Sequence, residues 1–524
     1  MPDRPDRAKP RSQHRDHITS SENVGPIHNY QRPDMSPRDH LVMMLTSGAE
    51  IEHALMVQYL YAAYSIDLNQ DSAEDRAMVE GWRASILSVA REEMGHLLTV
   101  QNVLVLLGAP INLGREMLPW DHEFYPFPFS LEPLSEESLQ CFIYAEMPRL
   151  ESLGKAAPGK QREKSVRPSV TIEKQRRIIE EVTAKLAKRF PKKRVTEDMH
   201  QVGELYAEII ELISDHKRIP DSIFDDTSFD RQASWDDWAR GYKPAPRLVD
   251  PEGNLDREND PASRKPPPTL AHRDAHVQVE RAATRAQAIK ALQALAAQGE
   301  APHLREDDTG EPSHFDRFVQ IYEEFKAYKA RHRSSQPTRA VPHNPTTRID
   351  FHNLRPEQTT YIGVKHDDEV AAHYFAQLFN QRYRLLLTYL AHSFRLARTP
   401  PTNRPSLRAM VMHRVFGEMY NLKAVAGVLV RLPRHGGGSG GPPFEMPYSL
   451  DLPQADRDIW RLYDDLLMAS QKTCSDVFRI SGLKDYAAMR EQIARTGGDV
   501  YLRTLMSLDD QTRLWIGKIL AGAA

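Results

Sequence analysis

Residues 86–104 read ILSVAREEMGHLLTVQNVL, an apolar run on helical spacing with acids and a histidine set into it. Ile86, Val89, Leu97, Val100 and Leu104 fall on one face by steps of three and four. Glu93 takes the centre of that stripe, and His96 lies three residues on, at its edge. On a helix that spacing brings a carboxylate oxygen and an imidazole nitrogen to nearly the same point. A charge where a core residue belongs is the informative observation, because an unpaired buried carboxylate is costly. Glu-x-x-His is also the spacing used by carboxylate-bridged di-metal sites inside helical bundles.

Working outward, this helix is predicted from about Ser72 to Leu107, stopping at Gly108 before Pro110. The helix before it opens at Ser36-Pro-Arg-Asp39, with a capping hydroxyl, a proline at the first position and an early acid. Its apolar face carries Leu41, Leu45, Met56, Tyr59 and Ala63, and Glu52 falls inside it. Two acids buried on neighbouring helices are explained if they share a cation. Glu52, Glu93 and His96 therefore form the primary candidate metal site, with oxygen and imidazole donors that suit iron or manganese. Glu50 and His53 repeat the Glu-x-x-His spacing but point elsewhere on the wheel, and are predicted as exposed charge. Glu92 sits off the stripe and is expected to support its neighbour or face solvent.

The chain has 524 residues, with Lys+Arg 69 against Asp+Glu 72 and a formal net charge of −3. Such a balance supplies no general attraction for nucleic acid or anionic membrane. Cys141 and Cys474 are too few for a disulfide scaffold and fit a reducing compartment. No apolar run approaches the roughly 18 residues of a membrane span, and the N-terminus lacks the apolar core of a secretory signal. The expectation is a cytoplasmic protein. Its 21 histidines direct any metal site toward imidazole and carboxylate.

The remaining pattern is helical throughout. Helices are predicted over 136–147, 170–189, 198–214, 272–297, 313–331, 367–397, 406–432 and 454–480, with a shorter one at the C-terminus. The aromatic stretch 109–135 reads as an ordered loop. Basic residues in the insertion around 152–196 alternate with acids and lack interleaved aromatics, so they read as a solvated face. The glycines at 436–441 precede Pro442-Pro443, which rejects a phosphate loop. The polar residues His373, Gln377, Gln381, His413, Glu418 and Asn421 are predicted as satisfied partners at a helix–helix interface. The fold class is all-α.

A four-helix site needs ligands from a second helix pair. In 198–214 the apolar face is Val202, Leu205, Tyr206, Ile209 and Ile213, and Glu204 falls away from it. In 313–331 the stripe His314, Phe318, Ile321 and Phe325 places His314 inside. Two further Glu-x-x-His pairs, Glu300–His303 and Glu311–His314, compete, and spacing favours the second.

Several motifs recur in order: EHALMVQYLYAAYS at 52–65, EEMGH at 92–96 with Asn102 and GAP at 108–110, VGELY at 202–206, QGE at 298–300 and SHF at 313–315. Together they resemble the ferritin-like domain of the iminophenyl-pyruvate dimer synthase family, known from violacein and related bisindole biosynthesis. The resemblance covers about 37–335, and GPPFE at 441–445 is similar to the family's C-terminal portion. The first motif departs from the family's pattern in carrying Val57-Gln58 where a proline is usual. The resemblance implies a ferritin-like four-helix bundle with long insertions, whose ligands would be Glu52, Glu93, His96, Glu204, Glu300 and His314. Glu311 stays as the rival of Glu300.

The expected organisation is a disordered tail at 1–36 and a metal-binding domain at 37–335, with the charged insertion 152–196 and a Pro-rich connector at 240–270. A linker at 336–364 and a C-terminal helical region at 365–524 packed on the bundle complete it. The expected function is a di-iron oxidoreductase acting on a small organic substrate, and the resemblance implies that this substrate is an amino-acid-derived imine, oxidatively coupled in secondary metabolism. Tyr59, Tyr61 and the loop 120–129 are expected to line its pocket. The partner is a small molecule, without nucleic acid or membrane; a homo-oligomer is left open. The competing readings are a non-catalytic ferritin-like protein that handles iron and a structural helical protein with a degenerate site.

Overall fold

The computed structural model describes residues 35–122, 125–148, 171–191, 202–224, 226–233, 277, 279–299, 312–332, 336–367, 369–396 and 407–522. The expected tail and the 240–270 connector therefore lie outside the described residues, apart from 35 and 36, as do most of 152–196, Glu300 and Glu311. Thirteen α-helices and one pair of two-residue parallel strands make up the described regular structure, apart from short 3₁₀ turns.

Helices α1 (Pro37–Ser65) and α2 (Ala73–Leu106) form the long hairpin at the centre of the fold, about 44 and 51 Å long. Each starts on a serine: Ser36 Oγ accepts the Asp39 amide at 3.1 Å and Ser72 Oγ the Asp75 amide at 2.9 Å. Such a cap is worth about 1 kcal/mol. The helix α1 is buried almost all round, as expected of a helix enclosed by others. Completely buried side chains such as Leu41, Leu45, Val89 and Leu104 each contribute about 1.5–3 kcal/mol.

Two short hairpins pack on this pair. One joins α3 (Glu136–Glu146) to α7 (His314–Arg331), and the other joins α5 (Val202–Ser214) to α6 (Arg285–Gly299). The first covers the late part of α1 and the early part of α2. Tyr59 stacks on Phe142 and Phe318 at 4.8 and 4.9 Å, and Trp82 on Phe325 at 5.7 Å. The second covers the opposite ends, with Gly48 facing the Tyr206 ring. The hairpins touch each other where α3 meets α5 and where α6 meets α7. The third and fourth helices of the bundle are thus each built in two pieces, and both breaks fall at one level. Helix α4 (Ile172–Arg189) packs on α3 within the first break.

Helix α6 starts at Arg285, well inside the 272–297 expected from its alanines. Side-chain amides claim the backbone before it: Gln232 exchanges hydrogen bonds with Ala282, and Asn102 Nδ2 donates to the Glu280 carbonyl. Residues 336–364, expected as a linker, carry short regular elements of their own. They bond along the end of α1 (Asp67 N to Pro337 O, 2.9 Å; Arg339 N to Ser65 O, 2.8 Å), and carry β1 (Pro345–Thr346), α8 (Ile349–Leu354) and β2 (Thr360–Tyr361).

The C-terminal helices are α9 (Val370–Ser393), α10 (Leu407–Leu429), α11 (Asp456–Ser481), α12 (Ala487–Arg495) and α13 (Gly498–Leu520). The last is a full-length helix, longer than expected. At their centre Arg382 is buried between Glu418 and Asp509, with Arg382 Nη1 to Asp509 Oδ1 at 2.8 Å. Helix α10 packs on α1, and His53, buried instead of exposed, bonds the hydroxyl of Tyr383 on α9. Gly441 lies so close to the Tyr61 hydroxyl that a Cβ would sit 2.3 Å from it, so only glycine fits there. Cys141 and Cys474 are buried free thiols. No helix among the described residues is long and apolar enough to cross a membrane.

Candidate metal centre

The level of the two helix breaks is where the buried charges gather. Glu52 comes from α1, Glu93 and His96 from α2, Glu146 from the last position of α3, and His314 from the first position of α7. Ser135 and Ser313 cap α3 and α7 with complete capping boxes, which fixes where α7, and hence His314, begins. All five side chains are buried. They form two clusters, Glu52–Glu93–His96 and Glu93–Glu146–His314, in each of which the donor atoms lie within 4.8 Å of one another.

Glu93 belongs to both, and the clusters mirror each other about it. His96 Nδ1 lies 3.1 Å from Glu93 Oε2 and 3.6 Å from Glu52 Oε2. His314 Nδ1 lies 2.8 Å from Glu93 Oε1 and 3.5 Å from Glu146 Oε2. The two rings stack at 5.4 Å. Each outer carboxylate accepts a phenol on its other oxygen: Tyr206 donates to Glu52 Oε1 at 2.6 Å, and Tyr59 to Glu146 Oε1 at 2.5 Å. Glu92 is buried beside them, accepting from Arg317, His314, Gln298 and Ser88. It is buried rather than facing solvent.

The residues fit a pair of cations. Glu93 Oε1 and His314 Nδ1 are fully buried and 2.8 Å apart, yet neither has an aligned hydrogen-bond partner. Both belong to the cluster whose donor atoms are close enough to share one ion. Without a cation, protons held on Glu93 and His314 compensate the buried charge. Burial, and then the nearby Glu146 and Glu52 carboxylates, push Glu93 well above the usual carboxylate range. Burial opposes protonation of His314, but Glu93, Glu146 and Glu92 outweigh it and push the ring up to about 10. Burial would likewise raise Glu92, but the Arg317 guanidinium and His314 hold it well below its ordinary value. A narrow cleft at the site is lined by Leu55 of α1 and by Val202, Gly203, Leu295, Ala296 and Gly299, which flank the breaks.

The structure thus brings together Glu52, Glu93, His96 and His314. Glu204 is half-buried on α5 and belongs to neither cluster; Tyr206, on the apolar face, reaches the site instead. Glu300 and Glu311 lie outside the described residues. The residue that sequence reasoning missed is Glu146. Its signal was present: Leu139, Phe142 and Ile143 form a stripe on α3 that Glu146 continues. Of the expected pocket residues, Tyr59 reaches Glu146, whereas Tyr61 donates to the Pro342 carbonyl. The loop 120–129 packs its aromatics on one another and on Tyr144.

A family model described as Ferritin-like matches residues 45–323. The chain belongs to the ferritin-like family. The matched span holds every residue of the two clusters, so the ferritin-like bundle and the buried site coincide. The chain is 26% identical over 483 residues to a dichlorochromopyrrolate synthase of Lentzea aerocolonigenes, covering 86% of this chain and 40% of that protein. It is 33% identical over 148 residues to a 2-imino-3-(indol-3-yl)propanoate dimerase of Chromobacterium violaceum, covering 23% of this chain and 14% of that protein. The chain therefore spans less than half the length of these curated relatives. No solved structure gives a significant match.

Proposed function

We propose that this ferritin-like protein is a di-iron oxidoreductase that joins two molecules of a small, amino-acid-derived imine in secondary metabolism. The observation that carries the reading is the pair of buried carboxylate–histidine clusters sharing Glu93, in a chain whose relatives are named as a synthase and a dimerase. Glu52, Glu93 and His96 would hold one ion, and Glu93, Glu146 and His314 the other; manganese is the alternative metal for the same donors. When bound, the metal pair would supply the redox chemistry of dioxygen or peroxide.

The protein's own part is to hold protons and exclude water. Tyr206 and Tyr59 keep a phenolic proton on the outer oxygens of Glu52 and Glu146, which leaves the inner oxygens, Glu52 Oε2 and Glu146 Oε2, for the ions. Leu55, Val202, Leu295 and Ala296 give the cleft apolar walls, and Gly203 and Gly299 add lining without side chains. Joining two carbon centres removes two hydrogens, so an oxidant is required, and a site buried in the bundle keeps it from bulk water. We place the reaction in the cytoplasm, in keeping with two free thiols.

The test is oxygen uptake by iron-loaded protein given an α-imino acid of the indolylpropanoate type, generated in situ. Uptake that depends on the imine, forms a dimeric product and is lost in Glu93→Ala supports the proposal. Iron oxidation that proceeds equally without any imine would point to an iron-handling protein instead.

A further inference from the structure

The two half-sites match on the inside and differ on the outside. Both imidazoles turn Nδ1 toward Glu93, so the partner of each Nε2 decides how its ring is held. Behind His314 Nε2 lies the Glu92 carboxylate, at 2.8 Å. Behind His96 Nε2 lies the amide oxygen of Gln298, at 3.0 Å, and the same amide donates from Nε2 to Glu92 Oε2 at 3.1 Å. One buried chain thus runs His96–Gln298–Glu92–His314.

The direction of its protons follows from what each group can do. Arg317 makes two bonds to Glu92, at 2.8 and 2.7 Å, so Glu92 is an ionised acceptor. Gln298 must then donate its NH₂ to Glu92 and turn its oxygen to His96. His96 Nε2 must carry the hydrogen that this oxygen accepts, and His314 Nε2 the one that Glu92 accepts. With Nε2 protonated on both rings, Nδ1 is the nitrogen that each ring would give to a cation. Glu92 touches neither cluster's inner space, yet it selects the tautomer of both histidines.

The two are not held equally. A full carboxylate behind an imidazole raises the basicity of the opposite nitrogen more than a neutral amide does. We propose that Glu92 is the positioning residue of the centre, acting directly on His314 and through Gln298 on His96, and that it makes Glu93–Glu146–His314 the tighter of two unequal metal positions. The inference rests on the metal-centre reading above.

The experiment is an anaerobic titration of the full chain with cobalt(II), followed by visible absorption, with the melting temperature of each metal-free variant as a control for folding. The wild type should bind two equivalents in two resolved steps. Glu92→Gln should weaken the tighter step about 10- to 100-fold and shift the spectrum of the first equivalent. Gln298→Leu should weaken only the second step. Glu92→Gln with Arg317→Met removes the charge pair together, and should reproduce the Glu92→Gln result if the single variant folds poorly. Two wild-type equivalents with identical affinity, or two steps that neither Glu92→Gln nor Gln298→Leu moves, would overturn the inference while leaving the metal centre intact. A wild type that binds no cobalt, iron or manganese overturns the metal reading, and this inference with it.

Discussion

At Glu93 the two carboxylate oxygens face different histidines, and substitutions around it should differ accordingly. Glu93→Ala should abolish binding at both positions, whereas Glu52→Ala or Glu146→Ala should each leave one equivalent; metal analysis after dialysis distinguishes these outcomes. Tyr206→Phe and Tyr59→Phe each remove a phenol from an outer carboxylate and should weaken the adjoining position by about tenfold or more. Equal loss at both positions in either variant would contradict the assignment of each phenol to one half-site. The burial of Glu52, Glu93, His96 and His314 was legible because each interrupts an apolar stripe on a long, cleanly periodic helix. Glu146 continues a stripe too, but it was passed over because it ends an 11-residue helix immediately before Met147-Pro148, where an acid reads as an ordinary exposed end. Glu204 shows the wheel and the family motif pulling apart. The wheel put it off the buried face, and the structure leaves it half-buried outside both clusters.

Among the elements, the two broken helices position the site. A continuous helix would run through the level of Glu146 and His314 with side chains all round. The breaks instead bring helix ends to that level, and Gly203 and Gly299 line the cleft there. A Cβ on Gly299 would sit 3.1 Å from Glu146 Oε2. Gly299→Ala should therefore displace that carboxylate and weaken binding at the His314 position, while changing the stability of the metal-free protein by no more than about 1 kcal/mol. A competitive metal titration beside a urea melt checks both halves of that expectation. Helix identity was legible from periodicity almost everywhere, and the predicted helices 272–297 and 313–331 already leave the second break between them. The start of α6 was not legible, because Asn102 and Gln232 reach across to take backbone groups at 280–282. Local propensity carries no information about such distant partners.

Over the whole molecule, the C-terminal helices hold to the bundle through a polar junction at His53 and Tyr383 and carry their own buried ion group. Arg382→Met would strand Glu418 and Asp509 without a counter-charge, and should cost about 3–5 kcal/mol in a denaturant melt. Sequence showed Glu418 as an interface residue but not its partner, since Arg382 and Asp509 come from helices far apart in the chain. Histidine burial should also shape the pH dependence. Burial pushes His392 down to about 4, against about 6.5 in an unfolded chain. Below pH 6.5 the unfolded chain takes up a proton that the folded one refuses. Stability present above that pH should therefore fall, by up to about 1.4 kcal/mol per pH unit, as pH drops toward 4. His392→Phe should flatten this part of the profile, and a slope equal to wild type would count against the assignment. The central claim is that the bundle exists to hold a metal pair on a shared glutamate, and it is tested most directly by anaerobic iron loading followed by elemental analysis. Two iron ions per chain, falling to none in Glu93→Ala with the variant still folded, is the expected result; a folded wild type that retains no iron, or a Glu93→Ala variant that retains both ions, would contradict it.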